Sequence, residues 1–180
     1  MTHFGDRLTE ANRRTATPLC MGIDPHISMI PAIFGDAQDG AASDAAIRAI
    51  DDFFMACLEQ AIGNVAAIKP QAAFFEQQGP AGMQILQNLG RAAIDAGLLV
   101  IMDAKRGDIG STSTAYAAGW IGHDAPFPSD ALTVNPWLGI DTLAPFLDRA
   151  DATGSGLFIL NRTGNLGAGD LQDQMVDGQP

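Results

Sequence analysis

The sequence predicts an α/β chain of parallel strands: a (β/α)8 TIM barrel, represented here by about its first five β/α units. Three observations predict it. Short apolar runs alternate with segments whose apolar residues recur at helical spacing. Each run stops at a polar residue, in order Asp24, Lys69, Asp103, Asn135 and Asn161. Polar groups gathered at the carboxyl ends of parallel strands are where such barrels keep their sites. Finally, no Gly-x-Gly-x-x-Gly follows the first run, which weighs against a doubly wound, dinucleotide-binding sheet. A full barrel takes eight units and typically ~250 residues. At 180 residues, the chain is expected to be a single partial barrel domain over residues 1–180, truncated toward its C-terminus.

The elements follow in order. Residues 4–14 read as a short amphipathic helix, and residues 1–16 are expected to cover the bottom of the barrel. Leu19 to Ile23 forms an apolar strand ending at Asp24, with Pro25 and His26 after it. Residues 35–44, rich in Gly, Ala, Asp and Ser, read as a loop. Residues 44–62 carry Ile47, Ile50, Phe54, Leu58 and Ile62 at helical spacing. Residues 65–68 form the second strand, ending at Lys69-Pro70. Gly79-Pro80 opens a helix, since proline sits well in a first turn. That helix runs to about Asp95 and stops at Gly97. Residues 98–102 are an unbroken apolar run, as expected of a strand buried on both faces. Ser111 and Thr112 are expected N-caps of a helix reaching Trp120. Residues 130–134 form the fourth strand, ending in Asn135-Pro136. Residues 142–149 form a short helix, residues 156–160 the fifth strand, and residues 168–180 a polar tail.

Composition narrows the function. Acidic residues outnumber basic ones 21 to 10, for a formal charge of −11. With no basic block, nucleic acid is an unsuited partner. No apolar run approaches the ~20 residues that span a membrane, and the polar N-terminus has no signal-peptide core. Cys20 and Cys57 lack metal-ligand spacing and read as buried thiols of a cytoplasmic protein. His3, His26 and His123 have no partners at ligand spacing and read as surface or loop residues. Glu76 reads as a loop carboxylate, Trp120 and Trp137 as packing residues. Arg106 and Arg162 read either as cations facing an anionic ligand or as solvated side chains.

The chemistry centres on residues 98–116, LLVIMDAKRGDIGSTSTAY. Asp103, Lys105 and Asp108 appear where the apolar run ends. Strand alternation puts Asp103 and Lys105 on one side, and Gly107 and Gly110 permit a tight turn. The simplest reading is a surface ion pair beside a helix. Charges packed at the carboxyl end of a buried strand are costly to desolvate, however, which favours a site.

DAKRGDIGST resembles the signature of the orotidine 5′-monophosphate decarboxylase family, in its longer bacterial-type (type 2) branch. IKPQAAFFE and VNPWLG extend the resemblance over most of the chain. The resemblance implies a cofactor-free decarboxylation of a nucleotide, orotidine 5′-phosphate, to uridine 5′-phosphate in pyrimidine biosynthesis, with no metal. It implies that Lys105 is the proton donor, with Asp103, Asp108 and Lys69 in the same charge network. Asp24 would hold the ribose hydroxyls, and Asn135 would sit at the fourth-strand end. Asp108 and Thr112 would reach into a neighbouring subunit's site, so a homodimer with shared active sites is implied. After the fifth strand the branch reads Arg-Thr-Ser-Asn-Pro-Gly, its Ser touching the pyrimidine. Here residues 162–167 read RTGNLG, so Gly164 offers no hydroxyl at that substrate-binding position. The family's phosphate-gripping region has no counterpart in these residues.

Such a reaction leaves a carbanion with nothing to delocalise it, so the protein must supply electrostatic stabilisation. A lysine ammonium suits this, opposing the charge and then delivering the proton. Two other readings stand beside it. Magnesium-dependent sugar-phosphate lyases and aldolases share D-x-K-x-x-D on the same barrel, but place a Glu where this chain has Lys69. A catalytically inactive truncated remnant is the alternative from outside the enzymes.

Overall fold

The structure, a computed structural model, describes residues 2–35, 37 and 43–175. Most of the expected 35–44 loop and the last residues of the polar tail lie outside the described residues.

Five parallel strands form one sheet in chain order. They are β1 (Cys20–Ile23), β2 (Ala67–Pro70), β3 (Leu99–Arg106), β4 (Ala131–Val134) and β5 (Gly156–Ile159). The helices are α1 (Phe4–Thr15), α2 (Asp44–Ala61), α3 (Ala72–Glu76), α4 (Gly79–Asp95), α5 (Gly110–Trp120) and α6 (Ala144–Thr153). This is the strand–helix alternation of a (β/α) barrel, with each strand paired to the next in sequence. Short 3-10 turns at Ile27–Met29, Ala32–Phe34, Ile140–Leu143 and Leu166–Asp170 fill the connections.

The inner strands β2, β3 and β4 are apolar on both faces because both are covered, whereas the edge strands β1 and β5 stay partly exposed. On one face Ile68, Val100, Met102, Leu132 and Val134 meet Ile50, Phe54 and Leu58 of α2, Leu86 and Leu89 of α4, and Phe146 of α6. At roughly 25 cal/mol per Å2 of apolar surface, this interface is the main driving force for the fold. On the other face, Leu99, Ile101, Ala67 and Ala131 meet Phe4 and Ala11 of α1. The small residues make room for α1: a Cβ at Gly156 would collide with the Phe4 ring, which also meets Phe158 edge-on at 6.0 Å. Arg7 fastens the helix, pairing with the buried Asp130 and donating to the Gly154 carbonyl at 3.1 Å. Asp130 also accepts from the Val100 amide at 2.8 Å and lies 2.8 Å from His123 Nε2.

Several expectations are corrected. α5 starts at Gly110 with Ile109 as its N-cap and no side-chain cap. Ser111 and Thr112 are exposed in its first turn, and it is Ser113 whose hydroxyl donates back to the Asp108 carbonyl. Glu76 ends α3 and is no loop residue. Trp120 packs, stacked on Phe127 at 4.6 Å, whereas Trp137 is 70% exposed. Both cysteines are free: Cys20 is exposed, against expectation, and Cys57 is half-buried against the core.

Candidate active site

Period-two alternation builds the site. Ala67 and Lys69 of β2, Leu99, Ile101 and Asp103 of β3, and Ala131 and Thr133 of β4 fall at alternate positions of adjacent strands. Their lower members pack under α1; their upper members converge on one carboxylate. Asp103 Oδ2 accepts from Lys69 Nζ at 2.9 Å. Its Oδ1 accepts from Lys105 Nζ at 2.5 Å and from the Thr133 hydroxyl at 3.0 Å. The Asp103 side chain is 10% exposed, against 36% for Lys69 and 45% for Lys105. The carboxylate is thus sunk in the wall while both ammonium groups face outward.

Burial alone would push the Asp103 carboxyl upward. Hydrogen bonds from Lys105 and Lys69, the Lys69 charge and the Thr133 hydroxyl outweigh it and hold the group below the ordinary aspartate range. Asp103 is an anion at neutral pH, and its two lysines are fixed partners. One carboxylate between two ammonium groups leaves a net positive cluster in a chain of strongly negative overall charge.

Lys105 reaches Asp103 by another route than simple strand alternation. Its φ is +48°, in the left-handed region that costs a non-glycine residue about 1–2 kcal/mol. The β3–β4 register shifts between Met102 and Arg106 at the same point. The Lys105 amide donates to Thr133 Oγ1 at 2.9 Å, and the Asn135 amide donates to the Arg106 carbonyl at 2.8 Å, resuming the ladder. A bulge at a strand's end re-aims a side chain; here it brings the Lys105 ammonium back over Asp103.

Two further residues hold this wall. Gln71, just beyond β2, pairs with Asp103 through an isolated bridge. With its amide turned so that both ends find partners, Nε2 donates to the Asp103 carbonyl at 2.5 Å and Oε1 accepts from Lys105 Nζ at 3.3 Å. Arg106 pairs with Glu76 of α3. Its guanidinium lies 4.7 Å from the Trp120 ring centre and 5.7 Å from that of Tyr116, so it bridges α3 and α5. Arg106 is thus a structural clasp rather than a solvated side chain.

The remaining site residues are spread around this cluster. Asp24 is exposed at the end of β1 and lines a cavity of about 490 Å3 with Met21, Ile23, His26 and Phe53. Within the chain, Asp108 does not join the lysines: its Oδ1 accepts from the Ile109 amide at 2.7 Å. Thr112 is exposed one helical turn on. Asn135 is exposed, its Oδ1 accepting from the Trp137 amide at 3.0 Å, and its backbone is so close to Gly107 that a Cβ there would strike the Asn135 carbonyl. Gly164 lies exposed beyond β5, with open space where a side chain would go. Arg162, in the same loop, is paired with Asp173 at 2.6 Å.

Sequence reasoning missed Thr133, Gln71 and the Arg106–Glu76 clasp. Thr133 had a signal, as the one polar residue inside the apolar run Ala131 to Val134. Gln71, two positions after Lys69, had the same alternation signal. The clasp had none, since Glu76 and Arg106 are brought together only by the packing of α3 against β3.

Comparison with known proteins agrees with this fold. Residues 17–180 match the model of the orotidine 5′-phosphate decarboxylase / HUMPS family. The chain is 43% identical over 183 residues to an orotidine 5′-phosphate decarboxylase of Rhodopirellula baltica, covering 99% of this chain and 61% of that protein. Among solved structures, a Streptomyces avermitilis protein bearing the same decarboxylase designation is 40% identical with a TM-score of 0.88, covering 99% of this chain and 60% of that one. Leishmania donovani OMP decarboxylase is 34% identical with a TM-score of 0.74, covering 99% and 61%. The chain therefore spans about three-fifths of the length of the curated relatives it matches.

Proposed function

Because the chain belongs to the orotidine 5′-phosphate decarboxylase / HUMPS family, we propose that its Lys69–Asp103–Lys105 cluster serves the decarboxylation of orotidine 5′-phosphate to uridine 5′-phosphate. The observation that carries the reading is the convergence of two lysines on one buried carboxylate at the strand ends. As the substrate C–C bond breaks and CO2 leaves, an electron pair is left on the ring carbon. The Lys105 ammonium, fixed beside the Asp103 carboxylate, opposes that charge and then transfers a proton to the same carbon. Because Asp103 holds the ammonium in place beforehand, little reorganisation is needed during the reaction.

In this reading Lys69 neutralises the second side of Asp103 and reaches toward the ribose, whose hydroxyls Asp24 receives. Asn135 and the Gly164 loop border the base. No metal or cofactor has a part in it. Asp108 and Thr112 act across a homodimer interface: within this chain Asp108 is engaged with the Ile109 amide and Thr112 is exposed. Exposed Ile109, Trp137, Leu138 and Ile140, in the segments that follow β3 and β4, give that interface its apolar surface. Among the described residues no helix is long and apolar enough to cross a membrane, and we assign the protein to the cytoplasm. The magnesium lyase reading is disfavoured because the β2 position where those enzymes place a metal-binding Glu holds Lys69, engaged with Asp103.

The test is CO2 release from carboxyl-labelled orotidine 5′-phosphate, with and without EDTA. Turnover should ignore EDTA and be lost in Lys105→Ala, with circular dichroism unchanged. Turnover that persists in the variant, or that depends on added magnesium, overturns the proposal.

A further inference from the structure

We propose that Thr133 is a positioning residue whose hydroxyl locks the Lys105 backbone to the Asp103 carboxylate and so fixes where the Lys105 ammonium is presented. The inference rests on the decarboxylase reading of the cluster and adds a residue to it.

The geometry is a closed loop of three contacts. Lys105 N–H donates to Thr133 Oγ1 at 2.9 Å. The Thr133 hydroxyl, left with its own proton, donates to Asp103 Oδ1 at 3.0 Å. The same Oδ1 accepts from Lys105 Nζ at 2.5 Å. One hydroxyl thus serves as acceptor and donor at once. Thr133 is itself buried in β4, between Leu132 and Val134, which face the opposite core. A buried hydroxyl in an apolar strand requires partners, and both of its partners belong to the cluster.

The backbone explains why a lock is needed. Lys105 is one of two described non-glycine residues with positive φ. Such a conformation persists only where the surroundings over-determine it. The amide of Lys105 has left the regular β3–β4 ladder at the register shift, and Thr133 Oγ1 takes the place of the ladder carbonyl. Without the hydroxyl the bulge is free to relax, and the Lys105 side chain would lose its fixed bearing on Asp103.

The test compares Thr133→Val, which keeps the shape and removes the hydroxyl, with Thr133→Ser, which keeps the hydroxyl; Thr133→Ala replaces the valine variant should that fail to fold. Two probes on the full chain need no turnover: 13C titration of the Asp103 carboxyl and amide exchange of Lys105. In Thr133→Val the titration should move up toward the ordinary aspartate value, and exchange should quicken about tenfold. In turnover, kcat should fall about tenfold with KM changed less than about twofold, the pattern of a lost transition-state interaction. Thr133→Ser should recover all three. A purely structural threonine would lower the melting temperature and leave the Asp103 titration where it was, and that result overturns the proposal. So does an unchanged kcat, or failure of serine to rescue. If both probes move while the unaltered chain releases no CO2, the decarboxylase reading fails and the lock stands.

Discussion

Replacing Asp103 with asparagine tests whether the carboxylate holds the site together or merely decorates it. The side chain keeps its shape, but two ammonium groups lose the anion between them. A hydrogen bond to a charged partner is worth about 1.5–3 kcal/mol and a neutral one about 0.5–1.5. Each lysine contact should therefore lose about 1 kcal/mol. The lysine side chains are 36% and 45% exposed, so solvent screens their mutual repulsion and adds little. The expected loss is about 2 kcal/mol at pH 7, or a melting temperature lower by about 4–8 °C for a chain of this size. The pH dependence has a definite sign. The folded carboxyl lies below the ordinary range, so its stabilisation is complete above the unfolded value, about 3.9. It is lost as pH falls through the lower folded value. Thermal unfolding followed by circular dichroism at pH 7, 5, 4 and 3 should show a constant gap between unaltered chain and variant down to about pH 4, closing below it. A variant more stable than the unaltered chain at pH 7, or a gap unchanged at pH 3, would refute the reasoning.

Two other substitutions probe the surroundings. Arg106→Lys keeps the charge but removes the planar guanidinium that lies over Trp120 and Tyr116. It should cost about 1–2 kcal/mol by denaturant unfolding, and a neutral result would show the clasp to be idle. Gly164→Ser meets open space and should leave the melting temperature within about 2 °C. On the proposed reading it should lower KM for orotidine 5′-phosphate by a few-fold in a turnover assay, since it adds a hydroxyl where that reading puts the base; an unchanged KM would mean that this loop does not meet the pyrimidine.

The fold was legible because parallel strands covered on both faces write themselves as unbroken apolar runs. Val100, Met102 and Leu132 face one set of helices while Leu99, Ile101 and Ala131 face α1. The lysines and Asp103 were legible for the same reason, as charged residues interrupting those runs at one end. The left-handed turn at Lys105 was not. Nothing local marks it, since lysine has no preference for positive φ; the conformation is imposed by a hydroxyl some 28 positions away. Helix starts failed similarly. Ser111 and Thr112 are good caps by residue type, yet Gly110 at φ +49° starts the helix one residue before Ser111. The Trp137 expectation failed because size was taken as a sign of burial, when the side chain belongs to an exposed loop beyond β4.

The ion pair between Arg7 and Asp130 joins residues 123 positions apart. On a ribosome adding about 5–20 residues per second, the first helix waits roughly 6–25 seconds before the strand bearing its anchor has been made. That helix is thus secured by a partner made long after it. Until then the Phe4 side of that helix is a sticky surface on the nascent chain.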